Sequence, residues 1–335
     1  MPVFNRFLCV FTVLLLSAFA VAQAPEEQEA SITEEEVAEV LVVGEQPGPG
    51  LWRVYKGDHV LWILGILSPL PKNMQWHSRQ VEEAVANSQE LLMPPNVTLK
   101  VGFWAKVGIL PSLIGVKNNP DGKKLVDVLP EDLYLRWSLL KEKYIGKDND
   151  IEKTRPIFAA TELSKKSIEK SGMVAADSVR WKVEAIVKSH NIKTTVPKFE
   201  QEFKNPRASV KKFKKLSLDD TECFKRTLDR LETDLGAMRI RANAWATGDL
   251  ETLRNLPYHN EREDCETAVL NSEIAQEQGL QDIKQLLKLE WVTAAETALA
   301  SNESTFAMLS IAELYKKDGY LAALEEKGYS VERPE

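Results

Sequence analysis

The stretch Leu51 to Pro71, LWRVYKGDHVLWILGILSPLP, limits what this chain can fold into more than any other. It is the most apolar and most patterned segment outside the N-terminus, and Gly57-Asp58 divides it. It reads as two short strands around a tight turn, with Gly65 placed where the second strand leaves the sheet.

The elements that follow extend this start. Apolar residues at Met74, Val81 and Val85 predict a helix within Lys72–Gln89, and Glu90-Leu91-Leu92-Met93 reads as a short buried strand ended by Pro94-Pro95. Strand, helix and strand in that order form a βαβ unit with a right-handed crossover. Residues 98–117 are apolar and punctuated by Gly, and read as a helix pair lying over a cleft or packed in the core, in preference to a membrane-surface role. Helices are expected from Pro130 to Lys143, where Pro suits a first turn, and over 155–170 and 177–190. Asn191–Val196 reads as a strand closed by Pro197.

Lys198–Lys215 interleaves Phe199, Phe203 and Phe213 with many Lys and Arg residues. It is taken as one apolar helix face backed by a solvated basic face, not as a nucleic-acid or lipid surface. From Leu218 to Asn302 the pattern is helical. Asp219 or Asp220 caps a long helix to Ala246, Gly248 ends it and Asp249 caps the next. Ser304–Leu309 is a strand, a helix runs through Glu326, and Gly328–Val331 is a last short strand. The fold class is therefore mixed α/β. N- and C-terminal βα units form one central sheet, and a large helical middle, about 198–302, is inserted between them.

Composition narrows the function. A formal net charge of −7 on 335 residues argues against a general nucleic-acid binder, which needs a surplus of Lys and Arg, though not against a local basic patch. Arg6 precedes an uncharged apolar run, Phe7 to Val21, and Ala20-Val21-Ala22 supplies the small residues of a signal-peptidase site. Ala22-Gln23-Ala24 is a second site, disfavoured because Pro25 would then come first. The run of 15 residues is short of the roughly 20 that span a bilayer. The expected order is a signal peptide over 1–22, an acidic leader over 23–49 with a strand at Val37–Val43, and a globular part over 50–335. The mature chain carries no transmembrane helix and lies in the periplasm, or alternatively is secreted. Cleavage leaves Cys223 and Cys265, an even pair that favours a disulfide in an exported protein. Closing a loop of that size stabilises the fold by about 3–4 kcal/mol.

Common chemical motifs are absent: no CxxC, HExxH, GxSxG, P-loop or GxGxxG occurs. His59, His77, His190 and His259 are scattered, although distant histidines can converge on a metal. Asp58-His59 is read as solvated turn polarity and not as an acid–base pair.

LWRVYKGDHVLWILGILSPLPK, together with NAWATGDLETLRNL and the C-terminal STFAMLSIAELYKKDGYLAALEEKGYSVE, resembles the TraB/PrgY/GumN family, which is related to the TIKI proteases. The resemblance spans most of 50–335. It implies a metal-dependent hydrolase, with two Gly-x-x-His motifs, an acidic residue after the first βα unit and an Arg-Asn pair on a late helix. This sequence departs at each position. Gly65-Ile66-Leu67-Ser68 has Ser for the first His, and Ser310-Ile311-Ala312-Glu313 lacks both Gly and His. The acidic position falls near Pro94, and the Arg-Asn pair falls at Glu290-Trp291. The expectation is a non-catalytic, metal-free family member that binds an envelope protein or peptide. The alternative is a peptide or ester hydrolase rebuilt around Ser68 and Glu313, a poorly matched nucleophile and base.

Overall fold

The hairpin forms as its patterning requires. In this computed structural model β1 (Leu51–Lys56) pairs antiparallel with β2 (His59–Ile66), from Leu51↔Leu64 to Lys56↔His59. Gly57 turns the chain with φ of 63°, a conformation that glycine adopts without a Cβ penalty. The structure describes residues 48–76, 79–174, 177–216, 218–256 and 261–334. The expected signal peptide, the leader up to residue 47, its Val37–Val43 strand, His77 and His259 lie outside them.

After the hairpin come β3 (Leu70–Pro71), α1 (Arg79–Ala86) and the buried β4 (Glu90–Leu92). Next are β5 (Asn96–Lys100), α2 (Phe103–Leu113), α3 (Leu125–Val128), α4 (Glu131–Tyr144) and α5 (Pro156–Lys170). β6 (Met173–Val174), α6 (Asp177–Ser189), β7 (Lys193–Thr195), β8 (Lys198–Glu202) and α7 (Pro206–Lys215) follow. The helical stretch is α8 (Thr221–Thr233), α9 (Leu235–Thr247), α10 (Leu250–Asn255), α11 (Glu261–Leu270), α12 (Glu273–Glu277) and α13 (Ile283–Ser301). The chain returns to α/β with β9 (Ser304–Ser310), α14 (Ile311–Leu314), α15 (Tyr320–Glu326) and β10 (Ser330–Glu332).

Six strands form the central sheet in the order β10-β1-β2-β9-β4-β7. β10 and β1 pair antiparallel, as do β1 and β2, whereas β2, β9, β4 and β7 run parallel. The C-terminal strand β9 thus lies between the two strands of the N-terminal βαβ unit. Burial explains the central place of β2 and β9: Leu61, Ile63, Leu64 and Phe306–Leu309 are all buried, and only inner strands of a sheet covered by helices can hide such runs. One hydrophobic core surrounds this sheet. A second joins α4, α5 and α8 through Trp137, Leu163, Phe224 and Leu228. A disulfide links Cys223 of α8 to Cys265 of α11, whose Cα atoms lie 4.7 Å apart. The described residues all fall in one compact unit.

Three segments differ from their sequence reading. Residues 98–117 are not a helix pair: Asn96–Lys100 is a strand paired in parallel with β8, and a single helix follows. Lys198–Lys215 is likewise a strand and then a helix. The side chains of 198–202 alternate between exposed and half-buried, and Asn205 (φ 47°) with Pro206 at the first helical turn starts α7. The long helix expected to reach Ala246 breaks at Asp234, whose carboxylate is bound by Arg241. Asp220 makes no side-chain cap on its own helix. Its carboxylate accepts the Ile157 N–H at 2.8 Å and so serves the start of α5. Gly248 and Asp249 behave as read, closing α9 and capping α10 through the Thr252 N–H.

Candidate functional site at the carboxyl edge of the sheet

Parallel strands of an open α/β sheet present their carboxyl ends on one edge, where loops diverge and leave room for a ligand. Here β2 and β9 end together, since Ile66 lies opposite Ser310 in the register. Gly65 is still inside the ladder, opposite Leu309, so it does not turn the chain. It provides space instead. A Cβ at this position would lie 2.9 Å from Trp52 Cζ3, 3.0 Å from Ile311 Cγ1 and 3.1 Å from Leu314 Cδ1. The Gly65 carbonyl accepts the Trp245 indole N–H at 2.7 Å, which joins α9 to the strand end. Beyond it Leu67 is buried, Ser68 is exposed and the Ser68–Pro69 peptide is cis.

A cavity of about 400 Å³ opens beside the end of β9. Pro94, Leu309, Ser310 and Glu313 line it from the strand ends, and Lys284 and Lys288 from the first turns of α13. Glu313 pairs with Lys316 at 2.9 Å, and Lys288 Nζ donates to the Asp318 carbonyl at 3.0 Å. Lys284 lies 3.6 Å from Glu266. The buried Tyr320 completes the wall. Burial first, and then the nearby Glu313 charge, push its phenol up to about 12, so it stays a neutral hydroxyl at any physiological pH. Gly319 is required at the rim, because a Cβ there would lie 2.5 Å from the Glu313 carbonyl oxygen.

The structure therefore brings together Ser310, Glu313 and Pro94 but leaves Ser68 out of the cavity lining. Glu290 is exposed, and Trp291 is fully buried, stacked edge-on against Tyr320 with ring centroids 5.2 Å apart. Asp58 is exposed in its turn, and His59 Nδ1 lies 2.7 Å from the Asn302 carbonyl at the opposite end of the sheet. Sequence reasoning missed Lys284, Lys288 and Tyr320 as site residues. Lys284 and Lys288 are spaced i, i+4 on one face of α13, but only packing of α13 against β9 turns that face to the strand end.

The sequence model of the TraB/PrgY/gumN family matches residues 50–333. No significant match was found among curated proteins or among solved structures.

Proposed function

The chain belongs to the TraB/PrgY/gumN family, and from that premise we propose that it is an exported, non-catalytic binding protein of the cell envelope, held in the periplasm. The observation that carries this reading is the chemistry at the strand ends. Where the family resemblance places metal ligands, Ser68 is a neutral hydroxyl, Pro94 has no side-chain donor and Glu313 is engaged by the Lys316 ammonium. That set does not fit a divalent cation, which takes several anionic or imidazole donors. No water-activating step is derived from it. Ser68 also stands outside the cavity that holds Glu313, so the geometry does not favour the rebuilt serine–carboxylate hydrolase.

What remains is a recess of a size suited to a ligand or partner segment. Its lining includes Lys284, Lys288 and Lys316 together with Glu266, Glu313 and Asp318. Such a lining suits a peptide segment bearing both signs of charge, whose charges would exchange with the Glu313–Lys316 and Lys284–Glu266 pairs.

Two measurements test the reading. Metal analysis of the purified protein is expected to find no stoichiometric Mn, Co or Zn; a stoichiometric ion lost on Glu313→Ala would overturn it. An envelope protein or peptide retained by the wild type should be released by Gln285→Trp, which plugs the cavity from an exposed helix position. Peptide or ester hydrolysis abolished by Ser68→Ala would establish the hydrolase instead.

A further inference from the structure

The helix α2 turns its apolar residues outwards. Phe103, Val107, Leu110 and Ile114 recur at i, i+4, i+7 and i+11 and form one stripe, with exposures of 70% at Phe103, 62% at Leu110 and 78% at Ile114. Leu99 and Leu113 extend it. No described side chain of α2 belongs to either hydrophobic core. A stripe of this kind normally faces a core, and left on the surface it marks a contact with something outside the molecule.

The charge beside the stripe identifies that contact. β5 pairs with β8, and the helix after each strand packs on the other, α2 against α7. Residues 96–124 and 198–216, the two strand–helix segments, carry twelve Lys and Arg against Asp121, Glu200 and Glu202, in a chain whose net charge is −7. Lys100 is bound by Glu200, and Lys212 by Glu273 and Glu277. Arg207, Lys211 and Lys215 repeat along the exposed face of α7, and Lys106 is exposed within α2. A basic surface bordering an exposed aliphatic stripe is the arrangement of a segment that lies in a bilayer interface. The apolar side chains enter the acyl boundary and the cations meet anionic headgroups. An acidic protein partner would satisfy the charges but leaves Phe103, Leu110 and Ile114 without a stated complement. No helix among the described residues is long and apolar enough to cross a membrane.

We infer that the α2–α7 face docks the protein on an anionic membrane surface. The test is vesicle co-sedimentation of the chain from Gln23 onward. It keeps the whole compact unit and omits the apolar run of residues 7–21, which would bind lipid by itself. Binding is expected to vesicles of phosphatidylcholine containing phosphatidylglycerol, to weaken with added salt, and to be slight with phosphatidylcholine alone. Leu110→Asp with Ile114→Asp, both at exposed positions, should abolish binding while the circular dichroism and melting temperature stay unchanged. Lys211→Glu with Lys215→Glu, which leaves the stripe intact, should lower partitioning into the anionic vesicles by about tenfold or more. Failure of the wild type to bind anionic vesicles at low salt would overturn the inference. So would binding by the Leu110→Asp, Ile114→Asp variant equal to that of the wild type, or self-association through this face in light scattering without any lipid binding.

Discussion

Gly65 shows how one residue type can be read correctly and its reason misread. The sequence suggests a glycine that lets the chain turn; the structure keeps it in the ladder and uses its missing Cβ to seat Trp52, Ile311 and Leu314. Gly65→Ala is therefore expected to destabilise by about 1–3 kcal/mol, the usual range for overpacking a core. Gly108→Ala meets nothing within 4 Å in α2 and should stabilise by up to about 1 kcal/mol through helix propensity. Urea denaturation of the two variants checks the contrast. Asp220 gives a pH prediction. Burial pushes its carboxyl up to about 6, outweighing the Ile157 N–H bond and the Arg155 charge that lower it. A folded value above the unfolded one favours the native state fully below about pH 4, and that contribution disappears as pH rises through about 6. Asp220→Asn keeps an acceptor for Ile157 and should remove this decline, gaining no more than about 3 kcal/mol at neutral pH. Thermal melts between those pH values decide it, and parallel curves for wild type and variant would contradict the assignment.

Elements were legible where one period dominated. β1, β2, β4, α4, α5 and β9 lie close to where alternation, helical spacing and Pro punctuation put them, because those local signals agree with burial in the fold. Residues 96–114 and 198–215 were not legible. Each joins a five-residue strand to a helix, and the pairing of β5 with β8, about a hundred residues apart, leaves no local trace. The cysteine pair was legible from the two cysteines, Cys223 and Cys265, that lie within the residues matched by the family. The disulfide Cys223–Cys265 spans 42 residues and ties α8 to α11, so reducing it should cost about 4 kcal/mol in the chain-entropy account. Guanidinium denaturation with and without reductant measures this, and unchanged midpoints would refute it.

At the scale of the whole molecule, β9 between β2 and β4 assembles the candidate site, since it carries Ser310 and Glu313 to the same edge as Pro94. The Glu313–Lys316 pair at that edge is about one-third exposed on both side chains, and such pairs add only about 0–1 kcal/mol. Glu313→Gln with Lys316→Met should therefore leave the denaturation midpoint nearly unchanged while altering capture of the cavity's ligand. A large loss of stability would mean that the pair is part of the framework.

The amino-acid sequence by itself determined the hairpin, the α/β class, the family and the cysteine pairing. All of these depend on local periodicity, on motif residues at fixed spacing, or on counting. The tertiary structure alone decided that Gly65 serves packing, that α13 adds Lys284 and Lys288 to the cavity, and that the α2 stripe faces outwards beside the lysines of α7. Each of these depends on which distant segments pack together, and the period of a helix records that it has an apolar face without recording what that face meets.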